Sequence, residues 1–128
     1  MPKRVLDIGN CVPDHTALRA LIEGQFGAVL DRAHQWQDAE AQLRSATYDL
    51  VLVNRKLDVD YTDGLDIIHK LQADAALRQV PVMMITNYAD HQATAVAAGA
   101  LVGFGKLELG APATREKLSA VLGQPVGK

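Results

Sequence analysis

Short apolar runs alternate with amphipathic stretches from one end of the chain to the other. The run from Val5 to Ile8 predicts a strand that stops at Gly9-Asn10. From Asp14, a residue type suited to a helix N-cap, Leu18, Leu21 and Ile22 recur at helical spacing, and the helix is expected to end near Gly24. Ala28 to Leu30 suits a second strand, and Trp36, Ala39, Leu43 and Ala46 mark one face of a second helix. Tyr48 to Val53 (YDLVLV) is the clearest strand, because a parallel strand covered by helices on both faces reads as a continuous apolar run. Leu65, Ile68 and Leu71 follow at helical spacing. Val80 to Ile85 predicts a fourth strand with Pro81 near its start. The alanine-rich stretch 90–98 predicts a helix ended by Gly99, and Leu101 to Gly105 a short fifth strand. Pro112 suits the first turn of a last helix, whose buried face is Leu118, Val121 and Leu122.

Five strands, each followed by a helix, argue for a doubly wound five-stranded parallel sheet with helices on both faces. Sites in such folds lie outside the carboxyl ends of the strands. Here those ends are Gly9-Asn10-Cys11, Asn54-Arg55, Thr86-Asn87 and Lys106.

The remaining features narrow the function classes. A chain of 128 residues, 48% apolar and 22% charged, is read as one globular domain, residues 1–128 with a core of about 3–123. A net charge of −2 with interspersed signs gives no basis for nucleic-acid or anionic-membrane binding. Cys11 is the single cysteine, which excludes an internal disulfide and a cysteine cage for a metal. No apolar run approaches the ~20 residues of a bilayer span, and the N-terminus does not read as a signal peptide, so a cytoplasmic location is expected. After the last helix, Gly123–Lys128 is too short for an output domain, which leaves a stand-alone domain and a piece of a longer protein both open.

The order of motifs resembles the receiver domain of bacterial two-component response regulators over about residues 3–123. YDLVLVN with the later DGLDII is similar to the family's third strand, site loop and third helix. VPVMMIT is similar to its fourth strand with the terminal hydroxyl residue, and AAGALVGFGK to its fifth-strand region with the lysine. The resemblance implies a (βα)5 flavodoxin-like receiver fold and a phosphorelay signalling role without enzymatic activity of its own.

The same resemblance exposes departures at the site. Asn54 stands at the phosphoacceptor position, Gly9 and Asn10 stand at the acidic-pair positions, and Thr86 and Lys106 match the family. Leu107 follows Lys106 where the family has proline, and the loop from Asn54 to Gly64 is longer than usual. The switch aromatic, three residues before the lysine in the family, is replaced by Gly103, with Phe104 one place later.

An asparagine amide is a poor nucleophile and forms no stable acyl phosphate. Mg²⁺ is a hard cation that wants anionic oxygens, so without the acidic pair it is expected to bind weakly or not at all. Lys106 is then expected to hydrogen-bond the Asn54 carbonyl oxygen. The expected role is a pseudo-receiver that works by protein–protein contact through its fourth helix, fifth strand and fifth helix, with a partner or a second copy of itself. Two alternatives remain: phosphorylation on a displaced acid, Asp58 or Asp60, and a small-molecule module using the pocket near Thr86 and Lys106.

Other residues carry weaker expectations. Asp7, in a buried strand, is expected to pair with Arg4 or Arg32, or to act as a displaced site acid. Cys11, Asp14 and His15 make too thin a set for a metal; Asp14 is read as a cap and His15 as a surface residue. Asp58, Asp60, Asp63 and Asp66 form a solvated acidic loop without the glycine placement of a Ca²⁺ loop. Trp36 reads as a core-edge residue, and His69 and His91 as isolated.

Overall fold

In the computed structural model, which describes residues 2–126, every predicted strand and helix is present. The chain runs β1 (Arg4–Ile8), α1 (Val12–Phe26), β2 (Val29–Ala33), α2 (Trp36–Ser45), β3 (Leu50–Asn54) and α3 (Gly64–Ala73). It continues through β4 (Val82–Ile85), α4 (Ala89–Ala97), β5 (Leu101–Phe104), a 3-10 turn (Lys106–Glu108) and α5 (Pro112–Leu122). Of the tail, Gly127 and Lys128 lie outside the described residues.

All neighbouring strands are parallel, in the order β2-β1-β3-β4-β5. The chain steps outward from β1 to β2 and then returns past β1 to β3. That reversal divides the helices between the two faces. Alternate strand residues then feed two cores. Leu6, Ile8, Val51, Val53, Val82 and Met84 pack with α2, α3 and α4 through Leu43, Ile67, Ile68, Leu71 and Ala95. Val5, Leu30, Leu50, Leu52, Met83 and Ile85 pack with α1 and α5 through Leu18, Ile22, Leu118 and Leu122. Asp7 sits between these residues in the strand period, so it points into the α1/α5 layer.

Some details differ from the pattern reading. α1 starts before Asp14 and runs past Gly24 to Phe26, where Gly27, at φ 63°, closes it by donating to the Glu23 carbonyl. Gly24 faces open space on the helix exterior, where it costs only helix propensity. β2 is shifted to Val29–Ala33, because pairing with β1 continues through Asp31 and Arg32 although they break the apolar run. β5 carries an irregularity: Met83 pairs with Leu101 and Ile85 with Phe104, so one extra β5 residue is accommodated between them. Trp36 packs at the edge of the α2/α3 core, with Lys70 over its ring.

Candidate functional site

The carboxyl ends of β1 and β3 are tied together by an amide. Asn54 Nδ2 donates to the Gly9 carbonyl at 3.2 Å and to the Lys56 carbonyl at 2.7 Å, while Oδ1 accepts from Arg55 N–H at 3.1 Å. All three partners agree on which end of the amide is nitrogen. Gly9 O also accepts from Asp58 N–H at 2.9 Å, which draws the site loop onto the end of β1. Leu57, fully buried, lies against Gly9: a Cβ at position 9 would stand 2.3 Å from Leu57 Cδ2, and Gly9 has φ +81°. No acidic residue fits there without moving the loop. The loop is closed by Leu57 N–H to Thr62 O, Tyr61 N–H to Leu57 O and a bridge between Lys56 and Asp63. Asp63 caps α3 by accepting from Leu65 N–H.

Asn10 turns inward instead of toward the site. It is buried, and its Nδ2 donates to Asp7 Oδ1 at 2.5 Å; the other carboxylate oxygen of Asp7 meets His15 Nδ1 at 2.7 Å. The expected pairing of Asp7 with Arg4 or Arg32 is therefore corrected. Arg4 reaches Asp31 at 3.3 Å, and Arg32 donates to the Asn10 carbonyl. His15, expected at the surface, is mostly covered because the first turn of α1 holds it over Asp7. Burial pushes the Asp7 carboxyl above its ordinary pKa; the Asn10 and His15 hydrogen bonds and the nearby His15 and Arg32 charges oppose the rise without cancelling it.

The ends of β4 and β5 keep the expected hydroxyl and lysine but give them other partners. Lys106 Nζ lies 2.6 Å from Asp14 Oδ2, so its expected bond to the Asn54 carbonyl is not formed. Asp14 likewise does not cap α1; it accepts from Lys106 and from Cys11 Sγ at 3.2 Å. Burial pushes the Asp14 carboxyl up, but these hydrogen bonds and the Lys106 charge outweigh it and hold the carboxyl below its ordinary value. Thr86 Oγ1 meets His91 Nδ1 at 3.3 Å and accepts from Tyr88 N–H, so His91 is not isolated.

Phe104 is buried in the α1/α5 core, away from solvent. At the switch-aromatic position, a Cβ on Gly103 would stand 2.2 Å from the Met84 carbonyl oxygen, so the strand irregularity leaves no space for a side chain. Gln92 and Lys117 occupy the Gly103 N–H and carbonyl.

Between these halves lies an open pocket of about 290 Å³, lined by Asn54, Arg55, Lys56, Ile85, Thr86, Asn87, Tyr88 and Lys106. Its charged groups are all cationic. The donor set does not fit Mg²⁺: the position facing the Gly9 and Lys56 carbonyl oxygens is taken by amide N–H donors, and Gly9 and Asn10 supply no carboxylate to the pocket. Among the described residues, no cluster of three or more His, Cys, Asp or Glu side chains is arranged to hold a metal ion. No helix among them is long and apolar enough to cross a membrane.

The structure thus joins Gly9, Asn54, Thr86 and Lys106 at one edge of the sheet and removes Phe104 from it. Pattern reading missed Leu57, His15, His91 and the Asp14–Lys106 pair. One signal for His15 was present: a carboxylate inside an apolar strand demands a buried partner.

A family model described as the response regulator receiver domain matches residues 11–104. No curated protein matches the chain significantly. Among solved structures, the signal receiver domain of a DNA-binding response regulator from Colwellia psychrerythraea is 23% identical, with a TM-score of 0.76, covering 95% of this chain and 99% of that one. A response regulator from Chloroflexus aurantiacus is 17% identical, with a TM-score of 0.77 and coverage of 97% and 100%. The Vibrio cholerae chemotaxis protein CheY4 is 17% identical, with a TM-score of 0.75 and coverage of 95% and 100%. At these identities the likeness speaks for the fold alone.

Proposed function

This chain belongs to the response regulator receiver domain family, and from that premise we propose that it is an atypical receiver of two-component signalling, cytoplasmic and unphosphorylated at the usual position. The observation that carries the reading is the orientation of Asn54. Its amide nitrogen gathers the Gly9 and Lys56 carbonyl oxygens, the kind of oxygens that a cation would gather in its place. A neutral donor there stabilises the site without Mg²⁺, and an amide carries no phosphoryl group. Gly9 supports the same reading, since Leu57 fills the space an acidic side chain would need.

The displaced acids gain no support. Asp58 and Asp60 are exposed, and the Asp60 carboxyl, held below its ordinary value by the Thr62 N–H, is engaged in its own loop. The proposed mode of action is protein–protein contact through α4, β5 and α5, with no cofactor. Val96, Leu101 and Val102 support that face, being exposed apolar residues on α4 and on β5, an edge strand of the sheet.

The test is incubation with acetyl phosphate and Mg²⁺ followed by intact-mass and peptide mass spectrometry. The expected result is an unmodified chain. A covalent phosphate on Asp58, Asp60 or Asp7 would overturn the reading. The substitution Asn54→Asp sharpens it: a carboxylate facing two carbonyl oxygens is expected to lower the melting temperature in EDTA and to recover part of the loss in Mg²⁺.

A further inference from the structure

We propose that the pocket at the ends of β3, β4 and β5 receives, from a partner protein, the carboxylate of an acidic side chain carried in an apolar segment. The proposal rests on the reading that Asn54 bears no phosphoryl group, and it concerns the anion that takes that group's place. Arg55, Lys56 and Lys106 line the pocket, and no carboxylate does. Among the described residues the Arg55 and Lys56 side chains form no ion pair or hydrogen bond; only Lys106 is engaged, by Asp14 at 2.6 Å. Thr86, Asn54 and Asn87 add neutral polar groups. A guanidinium beside an ammonium suits a carboxylate, which the guanidinium can take in two parallel hydrogen bonds.

The surroundings say how the anion arrives. Exposed apolar side chains stand on four of the strand-to-helix connections at this edge: Val12 where α1 opens, Val59 and Tyr61 in the β3–α3 loop, Tyr88 before α4, and Leu107 beside Lys106. Tyr61 is also the sole non-glycine residue with positive φ among those described, so the loop holds an exposed aromatic in a strained conformation. A free inorganic anion would satisfy the cations and leave this apolar rim in water. A protein segment covers the rim while its acid fills the pocket. A polyanion such as RNA fits poorly, because Asp58, Asp60 and Asp90 stand exposed on the same connections and first turns.

The test is a random-peptide display selection against the unphosphorylated full chain, followed by titration of the best synthetic peptide. The expected outcome is enrichment of Asp or Glu flanked by apolar residues. Replacing that acid by its amide, or using the Arg55→Gln/Lys56→Gln chain, should weaken binding about tenfold or more. The melting temperature of the double variant reports whether it is folded. Leu107→Ser should weaken binding a few-fold. Selection of peptides without an acid, or binding unchanged in the double variant, overturns the proposal. So does a saturable response of the Arg55 and Lys56 amide signals to inorganic phosphate alone with no acidic peptide selected, which would mark a small-anion site. A covalent phosphate in the mass-spectrometric experiment would instead overturn the earlier reading, so the two failures are distinguishable.

Discussion

The ends of β1 and β3 and the ends of β4 and β5 lie at one edge of the sheet, yet they are built in opposite ways. On the first side the groups at the strand ends are engaged with one another. Asn54 ties two carbonyls, Asn10 serves Asp7, and Leu57 covers Gly9. On the second side Thr86, Asn87 and Lys106 border an open pocket together with the two basic residues that follow β3. In a phosphorylated receiver both sides act on one group, carboxylates and metal from one and hydroxyl and lysine from the other. Here the side chains that end β1 and β3 are engaged with one another, while Arg55 and Lys56 just beyond β3 face the open pocket beside Lys106, which Asp14 pairs. On the proposed reading, a site built this way is suited to binding an anion without reacting with it.

The contrast predicts a graded series of substitutions. Gly9→Asp, the change that would put an acid back, should be the most damaging. Positive φ and the Leu57 overlap together are expected to cost about 2–4 kcal/mol in urea unfolding. A stable Gly9→Asp chain would show that the first side is not closed. Asp7→Ala removes the acceptor for both Asn10 and His15 and should cost about 2–3 kcal/mol. Asn54→Ala frees the Gly9 and Lys56 carbonyls, one of which still accepts from Asp58 N–H, and about 1 kcal/mol is expected. Lys106→Met, on the open side, should change stability at neutral pH by less than about 1 kcal/mol, because the Asp14 pair is partly exposed and screened.

The pH dependence separates the two sides by sign. Asp7 has a raised folded pKa, so the folded state holds its proton more tightly. Its effect is that stability falls as pH rises from the ordinary carboxyl value of 3.8 through the folded value. Asp14 has a lowered folded pKa, so its contribution is present above 3.8 and is lost as pH falls through the folded value. Urea midpoints measured across acid pH should therefore lose the falling limb in Asp7→Asn and flatten at the acid end in Lys106→Met. The same profile in both variants and the parent chain would remove the distinction.

The pattern of apolar residues was enough to place all five strands and five helices, because each buries a continuous run or a helical stripe. Where polar residues continued a strand, as Asp31 and Arg32 do in β2, the pattern stopped early; backbone pairing with β1 set the true end. The residues at the strand ends were also legible, since a doubly wound sheet brings them to one edge wherever they lie in the chain. Their partners were not. Lys106 bonds Asp14 and not Asn54, Asp7 bonds His15 and not arginine, and Phe104 is buried.

What the sequence by itself determined is which elements form, which residues reach the site edge, and that Asn54, Gly9 and Asn10 bring no carboxylate there. Only the tertiary structure decided which way each polar side chain turns and which half of the site remains open. The reason is range. A strand or helix is selected by neighbours a few residues apart, whereas the direction of Asn54, Lys106 or Asp7 depends on groups from distant parts of the chain whose separation is set at the ångström level by packing. An extra β5 residue between two ladder pairs, or Leu57 folded onto Gly9, is enough to reassign such partners without disturbing the apolar pattern.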